Sequence, residues 1–295
     1  MHLDVTTRKN LRKKLKNHQT LTGSLRNIHR FYCNLTGCLH LSPNFYIIGV
    51  EKSGTSSLFG YLTQHPYIKK PVAKELNFYN KYYDRGTNWY KVNFPFKSAN
   101  FNKDLQITGE ASVRYFDYPH TIKRIKKLTP NAKFILLLRN PVDRAFSEFA
   151  STSRFGNEKL SFEEAIKQEK QRTDPEYQKM IEDENYYHEN FFRFGYLRRG
   201  IYIDFLIKWF DNFPKKNFLI IKSEDFFENP SQYYNKTLDF LDMPNWELDE
   251  YKIWRKVNTR KMNSKLRKDL IEFFRPYNQQ LYSLLGQNFD WENDA

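Results

Sequence analysis

The chain has 295 residues and a mass of 35.8 kDa, enough to bury a full core as one α/β domain. Its 48 lysines and arginines exceed its 34 acids, and the formal net charge of +14 suits a protein whose ligands are anions. No stretch approaches the roughly twenty apolar residues of a membrane span, no apolar signal-peptide core follows the N-terminus, and two cysteines make no disulfide scaffold. We therefore expect a cytoplasmic protein.

Residues 1–40 are interpreted as a basic N-terminal extension and residues 41–295 as the folded domain. The extension carries eight lysines and arginines against one acid, Asp4, and six of the eight lie in residues 8–16. A charge run of this kind is usually a solvated tail; contact with an acidic polymer, a membrane surface or nucleic acid is the alternative. Two histidines and two cysteines within residues 29–40 stand closer together than the pairs of a structural zinc site, so no metal is expected.

The most informative stretch is residues 44–62, which read NFYIIGVEKSGTSSLFGYL. An apolar run is followed by a turn of small residues and then by an amphipathic run, which predicts a strand, a tight loop and a helix. In such a loop the backbone N–H groups and the helix N-terminus converge on one point that suits an anion. The stretch predicts a phosphate site; an ordinary turn with a surface lysine is the alternative. The expected ligating residues are Lys52, Ser53, Gly54, Thr55 and Ser56.

The loop differs from the phosphate loop of nucleoside triphosphatases and kinases. That motif is GxxxxGK followed by Ser or Thr, whereas Lys52 precedes the second glycine, Gly54, and the loop is one residue shorter. A kinase would also need an Asp that binds magnesium. A kinase is therefore a remote alternative, as is a nucleic-acid-binding module that uses the basic extension; no nucleic acid is expected as a partner.

Apolar periodicity after the loop predicts three more strands and five more helices. Strands that alternate with helices predict an α/β fold with a mostly parallel sheet flanked by helices on both faces. The predicted strands are Leu105–Thr108, Phe134–Leu138 and Asn217–Ile221, and the predicted helices are Pro119–Leu128, Pro141–Ala150, Gly200–Phe210, Pro230–Leu241 and Ser264–Leu285.

A second motif begins where the predicted strand Phe134–Leu138 ends. Arg139 follows the strand, Asn140 and Pro141 suit the start of a helix, and Ser147 lies two turns into that helix. Ligands of open α/β sheets bind beyond the carboxyl ends of the strands, where a guanidinium and a hydroxyl could hold a second phosphate. The alternative is a structural ion pair of Arg139 with a nearby carboxylate such as Asp143.

Together the two motifs resemble those of the sulfotransferases that use 3′-phosphoadenosine 5′-phosphosulfate (PAPS). The loop resembles their 5′-phosphosulfate loop, and Arg139 and Ser147, eight residues apart, resemble their 3′-phosphate motif. Most of residues 44–292 is similar to the carbohydrate branch of the family, the heparan sulfate type and its microbial relatives, as in KELNFYN at 74–80 and GEASVRYF at 109–116. The resemblance implies a P-loop-like α/β fold and metal-free transfer of a sulfuryl group from PAPS to a hydroxyl or amine, with a carbohydrate as the acceptor.

The resemblance also implies roles for two residues. Lys52 would neutralise the leaving 5′-phosphate, and Glu75, which opens the stretch that matches E-x-x-F-F/Y, would be the general base. A surface Glu75 paired with Lys74 or Lys70 is the alternative. Sulfotransferases of small molecules or lipids use a histidine base instead, for which His188 or His120 would serve.

Two positions depart from the family pattern. Ala111 stands where the relatives often carry a lysine at the reaction centre, and the closing Lys-Gly-Arg loop is replaced by residues 255–259, RKVNT, from which Lys256 and Thr259 would reach the cofactor. Segments 67–97 and 156–195 are expected to line the acceptor side. Aromatic residues of the first segment could stack on sugar rings or belong to the core, namely Phe78, Tyr79, Trp89 and Tyr90.

Overall fold

Five parallel strands form one sheet in the computed structural model, which describes residues 23–97, 106–253 and 262–293. The sheet order is β2-β3-β1-β4-β5, and Ile47 in the central strand lies opposite Ala111 of β3 and Ile135 of β4. This architecture confirms the predicted α/β class. The strands are β1 (Phe45–Gly49), β2 (Ile68–Lys69), β3 (Ile107–Ala111), β4 (Lys133–Leu138) and β5 (Phe218–Lys222).

Helices connect the strands and cover both faces of the sheet. Alternate residues of β4 belong to two separate apolar clusters, Leu136 packing on one side of the sheet and Leu137 on the other. The helices are α1 (Gly23–Thr36), α2 (Thr55–Leu62), α3 (Phe78–Lys81), α4 (Thr87–Lys91), α5 (Thr121–Leu128), α6 (Pro141–Arg154), α7 (Phe162–Lys167), α8 (Glu169–Glu182), α9 (Glu189–Phe194), α10 (Tyr202–Phe210), α11 (Ser223–Glu228), α12 (Pro230–Phe240) and α13 (Ser264–Leu285).

Strand β3 differs from its predicted position: the sequence places it at Leu105–Thr108, and it lies at Ile107–Ala111. Its residues are all buried, although the sequence ITGEA contains a glutamate and no apolar run. Gly109 faces the ring of Phe45 so closely that a Cβ would come within 2.3 Å of it. The strand is therefore defined by its neighbours in the sheet, which apolar periodicity does not reveal.

Helix α1 lies within the stretch interpreted as an extension. The basic run at 8–16 lies outside the described residues, as do Lys256 and Thr259. The division of the chain at residue 41 stays a prediction.

Candidate active site

The loop between β1 and α2 has the backbone conformation of a ligand-binding turn. Lys52 and Gly54 have φ angles of 72° and 91°, both in the left-handed region. A side chain at position 54 would also collide with Phe226, since a Cβ would come within 2.9 Å of its ring. Glycine is therefore required at position 54 for two reasons: its φ lies in the left-handed region, and α11 packs closely beneath the loop.

The loop presents hydrogen-bond donors that the described residues leave without partners. No hydrogen bond within those residues uses the backbone N–H groups of Ser53 to Ser56, which precede the first intrahelical bonds of α2. The hydroxyl of Ser53 is buried and unpaired, and the ammonium of Lys52 forms neither a hydrogen bond nor an ion pair within the described residues. Buried unpaired donors are rare in folded proteins, and a bound anion would satisfy this set.

Arg139 joins β4 to the loop. Its Nη1 donates a hydrogen bond to the carbonyl of Lys52 at 2.9 Å, and its own carbonyl accepts one from the Tyr202 hydroxyl at 2.8 Å. Asp143, the alternative partner considered from the sequence, instead accepts from Arg267 at 2.6 Å, so that alternative is wrong. In the described ranges Arg139 forms no ion pair with a carboxylate, which leaves guanidinium donors for a ligand.

The start of α6 follows the predicted pattern. The Asn140 side chain accepts a hydrogen bond from the N–H of Val142 at 3.0 Å, and Pro141 occupies the first turn. Ser147 is buried, and its hydroxyl forms no hydrogen bond among the described residues. The next side chain, Glu148, lies within electrostatic range of Glu51 and Lys52 of the loop.

A buried group of charges that the sequence analysis missed lies beneath the loop. Arg199 donates to Glu51 at 3.1 Å, to Asp117 and to the carbonyl of Phe192 at 2.7 Å. These contacts join the loop to residues 66 and 148 positions away along the chain. Only the position of Glu51 inside the loop could have pointed to the group.

The charges of this group set the ionisation of two carboxyl groups near Lys52. Burial alone would raise the pKa of Glu51, but the guanidinium groups of Arg199 and Arg114 outweigh it and lower the pKa to about 2. Burial and the negative charge of Glu51 raise the pKa of Glu148 to about 7. Glu51 therefore stays ionised near neutral pH and pairs with Arg199.

Glu75 lies at the same edge of the sheet as the loop. The N–H of Glu75 donates to the carbonyl of Ala111 at 3.1 Å. Ala111 is the last residue of β3, the strand that pairs with β1. Its carboxylate is half-buried and pairs with Lys74 at 2.9 Å. This Lys74–Glu75 ion pair is the one considered from the sequence as the alternative to a catalytic role. It also holds the Glu75 carboxylate at the carboxyl edge of the sheet, from which the loop emerges. The role of Glu75 as a base stays a prediction.

Glu110 organises the segment that carries Glu75. This carboxyl group is fully buried in β3 and accepts hydrogen bonds from Ser112 at 2.5 Å, from Tyr115 at 2.7 Å and from Tyr90. The Tyr115 hydroxyl accepts from the N–H of Phe78 at 2.8 Å. Through these contacts Glu110 fixes the start of α3 and with it the backbone that follows Glu75.

We expect Glu110 to make stability depend on pH. Burial outweighs the hydrogen bonds and raises its pKa from 4.5 to about 7, so between these values it is protonated when folded and ionised when unfolded. Unfolding then releases a proton, and the free energy of unfolding should fall as the pH rises from 4.5 through about 7. Urea denaturation across this range should show a smaller fall for Glu110→Gln than for wild type. The exposed Glu182→Gln is the matched control, and equal slopes for wild type and Glu110→Gln would contradict the expectation.

The aromatic residues of segment 67–97 divide into core and surface. Phe78, Tyr79 and Tyr90 are fully buried, and the rings of Phe78 and Tyr90 stack at 4.3 Å, so they do not contact an acceptor. Trp89 is half-buried, and the guanidinium of Arg85 lies 4.8 Å from the centre of its ring. Of the four aromatic residues considered from the sequence, Trp89 alone keeps a partly accessible face.

Both histidines considered as alternative bases make structural hydrogen bonds. His120 Nε2 lies 2.6 Å from the carbonyl of Met180 on α8. His188 Nδ1 accepts from the N–H of Asn190 at 3.2 Å and caps α9. Within the three described ranges no group of three His, Cys, Asp or Glu side chains could hold a metal ion.

Comparison with known proteins identifies relatives of nearly the whole chain. The family model for the sulfotransferase domain matches residues 42–292. Membrane-associated sulfotransferase kil1 of Dictyostelium discoideum is 28% identical over 324 residues, which cover 87% of this chain and 68% of that protein. Human heparan sulfate glucosamine 3-O-sulfotransferase 6 is 26% identical over 283 residues, covering 84% of this chain and 73% of that protein. A crystal structure of a sulfotransferase from Alicyclobacillus acidocaldarius is 29% identical, with a TM-score of 0.65 over 85% of this chain and 99% of its own.

These relatives confirm the family resemblance and correct the expected location. The cytoplasmic expectation is wrong, because a protein that matches most of this chain is named a membrane-associated sulfotransferase. In the described parts of the chain, no helix combines the length and the apolar character needed to cross a bilayer. Lack of an apolar span does not by itself determine where a protein is located.

Proposed function

The chain belongs to the sulfotransferase domain family, and we propose that it transfers a sulfuryl group from PAPS to a hydroxyl or amine of a carbohydrate. The observation that carries the proposal is the set of donors, unpaired within the described residues, around one point of the sheet edge. These donors are the N–H groups of Ser53 to Ser56, the Ser53 hydroxyl, the ammonium of Lys52 and the remaining N–H groups of Arg139. Two phosphate groups on one ligand would use them at once.

The donor set divides into two parts that fit the two phosphates of such a ligand. Lys52 and the loop from Ser53 to Ser56 would hold the 5′-phosphosulfate, and Arg139 with Ser147 would hold the 3′-phosphate. PAPS, when bound, supplies an activated sulfuryl group. Lys256 and Thr259 remain proposed contacts from the segment outside the described residues.

The carbohydrate acceptor is supported by the relatives and by the surface of segment 67–97. Several matched proteins are named heparan sulfate glucosamine 3-O-sulfotransferases. Here the half-buried Trp89 and the exposed Arg85 give an aromatic face with a cation, which suits a sugar ring that carries an acidic group. Ala111, in place of the family's lysine, argues for an acceptor that differs from heparan sulfate in detail.

A transfer assay tests the function directly. Labelled sulfate supplied as PAPS should appear on at least one member of a panel of acidic and neutral glycans, and not on phenols or sterols. Sulfation of phenols or sterols alone would overturn the carbohydrate acceptor. Failure to bind either PAPS or adenosine 3′,5′-bisphosphate would overturn the donor.

The 3′-phosphate assignment predicts a selective loss of affinity. Arg139→Ala should weaken binding of adenosine 3′,5′-bisphosphate by at least about tenfold, the value of one charge-assisted hydrogen bond. Binding of AMP, which lacks the 3′-phosphate, should change much less. Isothermal titration of both nucleotides measures the difference, with Arg275→Ala, whose guanidinium pairs with Glu272 on α13, as control. Equal loss of affinity for both nucleotides would show that Arg139 does not contact the 3′-phosphate. Ser147→Ala should also weaken binding of adenosine 3′,5′-bisphosphate more than binding of AMP, but by a smaller factor than Arg139→Ala.

A further inference from the structure

Helix α1 exposes an apolar stripe along its length. Ile28, Phe31 and Leu35 are 64%, 69% and 64% exposed, and Tyr32 beside them is also exposed. Positions 28, 31, 32 and 35 follow the i, i+3, i+4, i+7 spacing that puts residues on one face of a helix. Leu39, three residues beyond the helix, is exposed as well, so large apolar side chains extend past the end of α1.

The stripe is not the face that attaches α1 to the domain. Attachment is through Cys33, which is buried, and through Asn34, whose side-chain oxygen accepts from Asn88 of α4 at 3.2 Å. Gly37 then passes so close to Asn88 that a Cβ there would lie 3.0 Å from its side chain. A helix on a globular protein ordinarily turns its apolar face inward. Here the described domain contacts another face and leaves the stripe uncovered.

The sequence that leads into α1 supplies positive charge. Six lysines and arginines lie within residues 8–16, and residues 1–40 contain a single acid, Asp4. An apolar helix face next to a basic segment is the combination that binds the surface of an anionic membrane, with apolar side chains among the acyl chains and cations at the headgroups. Tyr32 adds a ring with a polar tip, which suits the same boundary.

We propose that α1 is an interfacial helix whose stripe of Ile28, Phe31, Tyr32 and Leu35 enters an anionic lipid surface, assisted by the basic residues 8–16. A second copy of the chain fits less well, since it carries the same surplus of positive charge in residues 1–40 and adds no anion to balance it. An acidic polymer would attract the basic segment but would leave the stripe in water. The proposal does not depend on the sulfotransferase activity.

Helix α1 is long enough to lie along a membrane surface. It spans 14 residues, about 21 Å at 1.5 Å per residue. Its attachment through Asn34 to Asn88 of α4 holds it on the domain while the stripe stays exposed.

Vesicle flotation tests the proposal on the full chain. We expect binding to phosphatidylcholine vesicles that contain about 30% phosphatidylserine and little binding to pure phosphatidylcholine. Phe31→Ser/Leu35→Ser should lower the partition coefficient at least about tenfold, because two large apolar side chains no longer leave water. Phe155→Ser is the matched control, since Phe155 is also 69% exposed but lies elsewhere, and its binding should equal that of wild type.

A second variant separates the charge from the stripe. Lys13→Gln/Lys14→Gln/Lys16→Gln should weaken binding to the anionic vesicles and reduce its dependence on salt. Absence of wild-type binding, or an equal loss for Phe155→Ser and for Phe31→Ser/Leu35→Ser, would overturn the proposal. A dimer that dissociates in Phe31→Ser/Leu35→Ser, without vesicle binding by wild type, would also overturn it and assign the stripe to a second copy.

Discussion

Glu75→Gln should lower turnover by roughly 10²–10⁴-fold while the affinity for adenosine 3′,5′-bisphosphate stays near that of wild type. Glutamine keeps the shape and the hydrogen-bonding capacity of the side chain but cannot accept the proton of an acceptor hydroxyl. The N–H of Glu75 bonds to Ala111 at the carboxyl end of β3, the strand next to β1, which is the edge of the sheet where a base could meet an acceptor. Single-turnover rates and the pH profile measure the effect, and the acid limb of the profile should move or disappear.

Two histidine variants make this expectation specific. His188→Asn and His120→Asn should each keep turnover within about an order of magnitude of wild type, because both histidines make structural hydrogen bonds. The exposed Glu182→Gln controls for a general loss of charge. If a histidine variant is inactive and Glu75→Gln is active, the base belongs to the small-molecule type. The carbohydrate proposal would then fall, while the PAPS proposal, which depends on Lys52, Arg139 and Ser147, would stand.

Lys52→Ala should raise the barrier to transfer by roughly 2.7–4 kcal/mol, which is about 10²–10³-fold in turnover. The ammonium of Lys52 makes no ion pair within the described residues, so it is available to stabilise charge that develops on a leaving phosphate. That interaction strengthens in the transition state, so turnover should fall more than nucleotide affinity. Pre-steady-state rates and titration with adenosine 3′,5′-bisphosphate separate the two quantities.

The control for Lys52→Ala is a lysine outside the loop, Lys70. Lys70 is exposed, and Lys70→Ala should leave turnover unchanged. Near-normal turnover by Lys52→Ala would remove the proposed role. A fall in affinity as large as the fall in turnover would show that Lys52 serves binding and adds nothing specific to the transition state.

The features that the sequence predicted well are those that depend on near neighbours. The tight loop between β1 and α2 was predicted from its small residues, and Gly54, with a φ of 91°, is the residue type that favours the left-handed backbone. Asn140 and Pro141 start α6 through contacts within three residues, and β4 is a continuous apolar run. For the same reason the predicted α/β class with a parallel sheet is confirmed.

The features that the sequence could not supply join distant residues through burial. The partner of Asp143 is Arg267, which is 124 residues away, and no local pattern distinguishes it from Arg139. Glu110 is buried because Tyr90, Ser112 and Tyr115 converge on it, and that convergence exists only once β3 and α4 have packed. Burial likewise assigned Phe78, Tyr79 and Tyr90 to the core, although their composition equally suited a sugar-binding surface.

For this protein, the sequence alone determined the tight loop after β1, the start of α6 and the eight-residue spacing of Arg139 and Ser147, because each follows from residues close together in the chain. Tertiary structure alone decided which charges remain available. Packing paired Glu51 with Arg199 and Asp143 with Arg267, and it left Lys52 and Arg139 without an ion pair in the described residues. The physical reason is that an ion pair depends on distance in space, which chain order does not fix.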